Sequence, residues 1–490
     1  MDQCVSGALI IQSAVFDVEK ERCTSKKYDV NVQLLPARSG RAVSVEISSD
    51  NGASFSSITS GSDNGSGTTA LSFNAPDKAG TYLYRAHAGA FPPLVAGSSG
   101  AIEAKVSPCG SDVINDALPV SRPGAERSCL LDANGDAWCW GNNQTGAIGD
   151  GTFTNRLKAV RVAGGHKFVS LTAGAEHTCA VKADGTGWCW GNNGSPGVEG
   201  FAQSGQGGLG DGTKSNRNVP TAITGGLKFK KLSAGINHTC GIDQFNQAYC
   251  WGANDFSQLG LGTEPVQNRS ADVLVPTRIN SSKNYIDIDV HGFQSCAMTA
   301  NKEVDCWGDN AATTYSGNKA IPPEISKIIT QKGSGYTRIA LGTSQRCGLL
   351  PTGTIQCWQD ERSGSFGDGS TEQYGQDPIN TIGGPYTYLS FGNKHGCGVV
   401  SNGDGFCWGY NFTGELGNGG GDDMADSRST PQLIMGGLKW NHVAVGYGHT
   451  CGISIGGNAY CWGSNFKGQL GNGTTRQYAT KAPTSVIFLQ

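Results

Sequence analysis

The sequence lacks any run of about 18 apolar residues, so no segment is long enough to cross a membrane as a helix. It also lacks an excess of one charge, since 37 Lys and Arg stand against 40 Asp and Glu and the net charge is −3. Nucleic acid and anionic membranes favour a basic surface, so we expect neither as a partner. Motifs of the GxSxG, HExxH or Walker type are missing as well. We therefore expect no enzyme activity, no cofactor and no metal.

Glycine, by contrast, is abundant, with 74 of 490 residues, about twice its usual share. It occurs together with many aromatic and β-branched residues, so the bias indicates turns rather than disorder. A chain of 490 residues is too long for one ordinary core and predicts several domains or a repeat array.

Cysteine has the most regular pattern, because after residue 120 it forms seven pairs with an internal spacing of ten. The first cysteines of successive pairs are 50, 61, 56, 51, 50 and 54 residues apart, and a period near 50 indicates repeated supersecondary units. Trp follows the second cysteine of every pair. The pairs are Cys129 and Cys139, Cys179 and Cys189, Cys240 and Cys250, Cys296 and Cys306, Cys347 and Cys357, Cys397 and Cys407, and Cys451 and Cys461.

Each unit predicts four short strands separated by Gly, Asp and Asn turns. In the second unit the strands are expected at roughly 168–174, 178–183, 187–193 and 218–224. Seven four-stranded units of this length predict a closed, seven-bladed β-propeller.

A hairpin turning at Ala183-Asp184-Gly185 places Cys179 opposite Cys189, with Cα atoms about 4.5 Å apart. A disulfide can bridge that distance. Zinc is the alternative, but Cys-x9-Cys does not match the Cys-x2–4-Cys knuckles of zinc sites. We therefore predict seven disulfides and an oxidising location: secreted, periplasmic or on the outer cell surface. Met1-Asp2-Gln3 leads directly to Cys4, so an exported chain would be a processed one with a start codon added.

The units resemble the repeats of the regulator of chromosome condensation family over residues 113–490. The segments that carry the resemblance are AGAEHTC (173–179), AGINHTC (234–240) and Gly-rich turns such as GQLGNGT (468–474). The resemblance implies a seven-bladed propeller that binds proteins. The cysteine pairs resemble the secreted bacterial branch of the family, which includes β-lactamase inhibitors.

The two ends of the repeat region suggest how the ring closes. The first unit starts partway through a blade at ALPVSRPGAERSC (117–129), and the tail APTSVIFLQ (482–490) aligns with VPTAITGG (219–226). We expect the C-terminal strand, 482–490, to pair into the N-terminal blade and remove an open edge.

Residues 1–109 have alternating strands without the Cys-Trp-Gly motif. DKAGTYLYR (77–85) resembles the corner of an immunoglobulin-like sandwich. We predict an immunoglobulin-like β-sandwich at 1–109, followed by the propeller at 110–490, in an all-β chain. A disulfide between Cys23 and Cys109 is favoured, one between Cys4 and Cys109 is the alternative, and an unpaired Cys4 would be an intermolecular link or a lipid anchor.

Three repeated features are expected to be structural. His177, His238 and His449 recur before Thr-Cys, which favours buried imidazoles bonded to the backbone. The seven Trp residues are expected in the core. The GDG segments at 149–151, 210–212 and 367–369 offer one Asp each, whereas a calcium loop needs several carboxylates, so we interpret them as turns.

Binding residues are expected where the repeat is enlarged, because loops on a rigid scaffold usually carry recognition. The enlarged segments all follow the Trp-Gly strand and should emerge on one face: 192–208, 263–273, 309–324 and 420–429. The candidate binding residues are Phe201, Tyr315, Glu324, Asp422, Asp423 and Met424.

Two functions are consistent with this sequence. The first is a monomeric recognition protein outside the cytosol that binds a protein or a glycan, in adhesion or in inhibition of an envelope enzyme. The second is a polysaccharide hydrolase or lyase with two carboxylates about 5–10 Å apart at the mouth of the propeller channel.

Overall fold

A computed structural model gives the protein as two compact units, residues 1–113 and 114–490. In the first unit it describes the backbone of nine strands. In the second it describes residues 126–194, 207–262, 272–308, 328–343, 345–362, 364–421, 426–475 and 480–489. Among all these residues there is no helix with the length and apolarity needed to cross a bilayer.

The first unit contains two sheets. One has the order β1-β3-β6, and the other has the order β2-β9-β7-β4-β5 with β8 beside β7. Their strands are β1 Ile10–Phe16, β2 Glu21–Cys23, β3 Lys27–Leu35, β4 Ala42–Ser48, β5 Ser56–Ser62, β6 Thr68–Asn74, β7 Gly80–Ala88, β8 Gly97–Ser98 and β9 Ile102–Ser107.

The parallel pair β2 and β9 bears on the predicted disulfide of this unit. It places Cys23 opposite Ser107, two residues before Cys109. Cys109 and Cys4 lie outside the described residues, so the bond between Cys23 and Cys109 and the immunoglobulin-like assignment stay predictions.

The second unit forms seven consecutive antiparallel sheets, the blades, each a meander of neighbouring strands. The first three blades contain β10 Arg127–Leu131, β11 Ala137–Gly141 and β12 Arg156–Arg161; β13 Ser170–Ala173, β14 His177–Val181, β15 Gly187–Gly191 and β16 Arg217–Ala222; and β17 Phe229–Ala234, β18 His238–Asp243, β19 Ala248–Gly252 and β20 Val273–Arg278.

The other four blades have the same order of strands. They contain β21 Tyr285–His291, β22 Gln294–Thr299, β23 Glu303–Gly308 and β24 Ile329–Ser334; β25 Arg338–Leu341, β26 Gln345–Leu349, β27 Ile355–Arg362 and β28 Glu372–Asn380; β29 Tyr386–Phe391, β30 His395–Val400, β31 Gly405–Gly409 and β32 Arg428–Leu433; and β33 Trp440–Val445, β34 His449–Ser454, β35 Ala459–Gly463 and β36 Thr480–Ser485.

The cysteine pairs lie at opposed positions of the two middle strands of each blade. In the second blade Cys179 pairs with Cys189, and their Cα atoms are 4.1 Å apart. Closing a loop of about ten residues in this way stabilises the fold by roughly 2–3 kcal/mol per bond.

All seven predicted disulfides of the propeller are confirmed, one in each blade. They join Cys129 to Cys139, Cys179 to Cys189, Cys240 to Cys250, Cys296 to Cys306, Cys347 to Cys357, Cys397 to Cys407 and Cys451 to Cys461. Because each cysteine has its partner in the adjacent strand, the bonds clasp individual blades and do not connect one blade to the next.

The Trp after each second cysteine packs between two blades. Trp251 is fully buried, and its indole N–H donates to the carbonyl of Gly208 in the preceding blade at 2.9 Å. Beside it, Gly210 has a φ of +66°, and a Cβ atom there would lie 2.6 Å from the indole nitrogen. Only glycine fits this approach, which explains why the Gly-rich turn and the Cys-Trp-Gly strand recur together.

The histidine before Thr-Cys also joins neighbouring blades. His177 Nε2 lies 2.8 Å from the hydroxyl oxygen of Thr239, and that hydroxyl donates to the carbonyl of Gly208 at 2.7 Å. Because the Thr239 hydroxyl proton points to Gly208, the Nε2–H of His177 is the donor to the Thr239 oxygen. The predicted burial is therefore confirmed, and Nε2 bonds to a hydroxyl of the next blade. Equivalent contacts are His238–Ser295, His395–Thr450 and His449–Ser128.

The C-terminal segment 482–490, predicted to pair into the first blade, is divided between two blades. β36 pairs with β35 inside the seventh blade, as β16 pairs with β15 in the second. The first blade already has its own outer strand, β12, on β11. The alignment of 482–490 with 219–226 therefore identifies the outer strand of a blade rather than a strand missing from another.

The end of this segment, residues 487–489, makes the contact with the first blade. Ala159 of β12 donates its N–H to the carbonyl of Ile487 at 2.8 Å and accepts the N–H of Leu489 at 2.9 Å. Trp140 of the first blade donates to the carbonyl of Gln469 in the seventh at 2.8 Å. The seventh blade therefore contacts the first through backbone and side-chain bonds.

Candidate functional site

Each blade brings two connecting segments to the same side of the propeller. Because successive strands run in opposite directions, the turn between the first and second strands and the connection between the third and fourth meet at one edge. In the third blade His238 follows that turn and pairs with Gly252, where the connection begins. We call this side the loop face.

The four enlarged segments predicted from the sequence all leave from the loop face. They are the connections β15–β16, β19–β20, β23–β24 and β31–β32. The predicted binding residues within them lie outside the described residues, so their part in binding stays a prediction. These residues are Phe201, Tyr315, Glu324, Asp422, Asp423 and Met424.

The enlarged loop of the second blade starts from a closed base. The Gly207 N–H donates to the carbonyl of Asn193 at 3.0 Å, as the Gly146 N–H donates to the carbonyl of Asn143 at 2.9 Å in the first blade. Two residues separate the partners in the first blade and thirteen in the second. The eleven inserted residues therefore lie between two positions whose backbone hydrogen bond also forms in the first blade, which has no insertion.

The Asp of the GDG segment is bonded to the residue at the base of the same loop. Asp211 accepts hydrogen bonds from the Thr213 N–H at 2.9 Å, from its hydroxyl at 2.8 Å and from the Asn193 side chain at 3.0 Å. It also pairs with Arg217 at 2.7 Å. Burial pushes the pKa of Asp211 upward, but the bonds from Thr213 and Arg217 outweigh it and the pKa is lowered. These contacts agree with the turn interpretation.

The exposed large apolar residues described on the loop face are all aromatic, whereas most other exposed large apolar residues described in the propeller are aliphatic. Such residues are favoured at protein interfaces because they supply large, rigid contact area. They are Phe153, Phe412, Tyr447 and Phe466, and their exposed fractions are 53%, 38%, 47% and 52%.

Aromatic side chains are grouped where the sixth and seventh blades meet. The rings of Tyr410 and Phe412 are 6.3 Å apart, and Lys394 Nζ lies 5.7 Å from the centre of the Tyr410 ring. Burial raises the pKa of Tyr410, with smaller contributions from Glu415 and from Tyr447, which enters from the turn of the seventh blade. We call Lys394, Tyr410, Phe412 and Tyr447 the aromatic patch.

A buried carboxyl group lies in the loop that carries this patch. Glu415 is 1% exposed and accepts the Thr413 N–H and the Thr413 hydroxyl, both at 2.7 Å. Burial raises the pKa of Glu415 to about 7, although the bonds from Thr413 lower it. Gln469 holds the equivalent position in the seventh blade and accepts the Lys467 N–H at 2.9 Å.

Among the described residues, the inner strands of blades two to seven enclose a small cavity. The cavity has a volume of about 60 Å³, and its lining includes Lys231, Arg338 and Tyr388. Pockets that take a drug-sized ligand measure about 300–1,000 Å³. The cavity therefore has room for a few water molecules and not for a sugar ring.

Two carboxylates lie in this cavity region, and both are bonded across blades. Asp287 pairs with Lys231 at 2.7 Å. Asp289 accepts the Ser233 hydroxyl at 3.1 Å and the Leu341 N–H at 2.9 Å. Their bonds hold adjacent inner strands together, which is a structural use of both groups.

The aromatic patch was missed by reasoning on loop length. A signal for part of it exists, since Phe412 and Phe466 occupy the same position in NFTG (411–414) and NFKG (465–468). No sequence signal brings Tyr447 next to them, because it comes from the turn of the following blade.

Two sequence profiles of the regulator of chromosome condensation (RCC1) repeat match the chain. One matches residues 134–181, 246–298, 402–453 and 456–490, and the other matches 168–195, 229–258 and 440–469. The second unit is thus a seven-bladed β-propeller that contains RCC1 repeats in these ranges.

Curated relatives share part of this region. The human E3 ubiquitin-protein ligase HERC2 is 25% identical over 226 residues, which are 45% of this chain and 4% of that protein. The ultraviolet-B receptor UVR8 of Arabidopsis thaliana is 25% identical over 273 residues, 51% of this chain and 55% of that protein. The chain thus spans little of the first relative and about half of the second.

Solved structures share the fold. Prp20p from Saccharomyces cerevisiae has a TM-score of 0.60 at 17% identity, over 76% of this chain and 88% of its own. Human WBSCR16 has a TM-score of 0.59 at 18% identity, over 72% of this chain and 94% of its own. At this identity the likeness establishes the propeller fold and not a shared partner.

Proposed function

We propose that this protein is a recognition protein of an oxidising compartment and that the loop face of its propeller binds a protein partner. The aromatic patch carries this proposal. It combines exposed aromatic rings with a rigid base, on the same face as the four enlarged loops. A partner that covered the patch would meet preformed scaffold, which reduces the entropy lost on binding.

The seven disulfides support the location. All fourteen sulfurs belong to residues that are at most 1% exposed, so they are part of the blade cores. Bonds of this number persist in secreted proteins, in the periplasm and on cell surfaces, but rarely in a reducing cytosol. The partner is expected there too, among adhesion receptors or envelope enzymes.

The relatives support a binding role. Prp20p binds Gsp1p and histones, and UVR8 is a receptor for ultraviolet-B light. The central cavity that the described residues line is too small for a sugar ring, which favours binding at the loop face over a hydrolase or lyase site in that cavity.

The proposal is tested with a double variant, Phe412→Ser together with Tyr447→Ser, on immobilised full-length protein. Envelope extracts and a glycan array are applied to the parent chain and to the variant. We expect a defined protein captured by the parent chain to be lost by at least tenfold from the variant, which corresponds to about 1.4 kcal/mol or more.

A matched control lies on the opposite face. Phe245 and Ile455, 79% and 41% exposed, sit in turns between second and third strands, so Phe245→Ser together with Ile455→Ser removes similar apolar surface there. The proposal fails if this control abolishes capture and the patch variant does not. Selective binding of one glycan, with no protein captured, would make the partner a saccharide.

A further inference from the structure

The hydroxyl of Thr413 has two acceptors within reach and one proton to donate. It lies 2.7 Å from the Glu415 carboxylate in its own loop and 3.0 Å from the carbonyl of Gly448 in the next blade. Gly448 follows Tyr447 directly, so the second bond ties the sixth blade to the turn that carries an exposed member of the aromatic patch. A hydroxyl can donate to only one of them at a time.

The first blade shows the arrangement without competition. The Thr145 hydroxyl, at the position of Thr413, donates to the carbonyl of Glu176 in the second blade at 3.2 Å. Residue 147, at the position of Glu415, is alanine. Both receiving carbonyls also accept a backbone N–H, from Asn192 at 2.9 Å and from Ser464 at 2.8 Å. The interblade bond is thus a feature of the fold, and in the sixth blade a carboxyl group competes for it.

Resting on the proposed function, we infer that protonation of Glu415 switches the interblade bond beneath the aromatic patch. When the carboxyl is protonated, its O–H donates to the Thr413 oxygen, and the Thr413 hydroxyl donates to Gly448. When the proton leaves to solvent, the carboxylate accepts the Thr413 hydroxyl and the bond to Gly448 is lost. The turn that presents Tyr447 is therefore held more tightly in acid than in base.

Other titratable groups surround this loop. Burial, then Glu415, raises the pKa of Tyr410, and burial lowers the pKa of His395 and His449 to about 3. Tyr410, His395 and His449 therefore stay neutral from about pH 5.5 to about pH 8.5. Lys394 and Tyr447 stand on the exposed side of the loop.

The substitution Glu415→Gln gives a reference protein that keeps the hydrogen bonds of the protonated state at every pH. An amide nitrogen in place of the carboxyl oxygen donates to the Thr413 oxygen at every pH, as the protonated acid does. Gln258 and Gln469 already occupy this position in two other blades, so the fold accepts it. Thr413→Val is the second variant, because it keeps the side-chain shape and removes the hydroxyl.

The experiment measures amide hydrogen exchange of the full-length chain without a partner, in peptides containing Gly446 and Ser464. The ratio of parent to Glu415→Gln exchange at one pH cancels the intrinsic pH dependence of exchange. We expect this ratio to rise about fivefold from about pH 5.5 to about pH 8.5, the equivalent of one hydrogen bond. Thr413→Val should show fast exchange at both values.

The turn of the second blade, 174–176, is the internal control and should show no such change, because alanine replaces the carboxyl group in the first blade. A ratio independent of pH would overturn the inference. So would a pH response that survives in Thr413→Val. Since no partner is present, failure here leaves the capture experiment with the Phe412→Ser and Tyr447→Ser variant as a separate test of the proposed function.

Discussion

The backbone N–H of Ala159 donates to the carbonyl of Ile487 at 2.8 Å, and this bond ties the end of the chain to the outer strand of the first blade. In the outer strand of the first blade, Ala159 precedes Val160, the residue paired with the second cysteine of that blade, Cys139. Five other blades have proline at the position of Ala159: residues 220, 276, 378, 431 and 483. Proline has no N–H, so it leaves those outer edges without a donor at this position. Alanine occurs at the blade whose edge is used.

Ala159→Pro should therefore lower the free energy of unfolding by about 1–3 kcal/mol, because the Ile487 carbonyl loses its donor. Urea unfolding measures the change. Deleting 487–490 should cost a similar amount, and the two changes together should cost less than their sum. If the double change is additive, or if neither variant differs from the parent, the tail does not close the ring.

Reduction should be slow in the folded state. All seven disulfides are buried, so dithiothreitol should reach them only as the blades open. Non-reducing peptide mapping should recover seven ten-spaced pairs, and replacing Cys179 and Cys189 by Ser should lower the free energy of unfolding by about 2–3 kcal/mol. Rapid labelling of these cysteines when dithiothreitol is added to the native protein would contradict the burial.

Acid should destabilise the propeller steeply. Burial, with smaller effects of neighbouring Arg127 and His238, lowers the pKa of His177 to about 3, and burial does the same for His395 and His449. The unfolded chain binds these protons near pH 6.5, so the stability is intact above about pH 6.5 and falls toward about pH 3. Three protons correspond to a slope of about 4 kcal/mol per pH unit.

Unfolding by urea at several pH values measures this slope. His395→Gln should reduce it by about one third, because one titrating group is removed. Gln345 already occupies the equivalent position in the fifth blade, where it donates to Ser365 at 2.8 Å. An unchanged slope in this variant would mean that other groups cause the acid sensitivity.

Deletion of 195–205 should leave the propeller folded. It leaves two residues, Gly194 and Gln206, between Asn193 and Gly207, the same number that the first blade has between Asn143 and Gly146. We expect a melting temperature close to that of the parent and weaker binding of the partner. Full affinity in the deletion variant would place the contact elsewhere on the loop face.

Much of the fold is predictable from local patterns. The spacing of Cys179 and Cys189 around a turn predicts a hairpin, an opposed pair and a disulfide, since all three depend on residues close in the chain. The four strands expected in the second blade, at 168–174, 178–183, 187–193 and 218–224, occur within a few residues of those bounds. The burial of the Trp and His residues follows from their recurrence.

The site was less accessible to such reasoning. Enlarged loops are visible as departures from a period, and their common origin on one face follows from the order of strands. The aromatic patch joins Tyr410 and Phe412 of one blade with Tyr447 of the next. The bond from Thr413 to Gly448 likewise spans 35 residues, and no spacing within a unit reports it.

The chain's own order of residues decided that there are seven units, where their strands and sulfur bonds lie, and which residues face the core, because each of these is settled within about 50 consecutive positions. The packing of blade against blade decided which side chains meet. Blade packing determines the hydroxyl partners of the histidines, the closure between Ala159 and Ile487, and the neighbours of Glu415. Those contacts depend on a ring that places distant segments side by side, and only the folded chain brings those segments together.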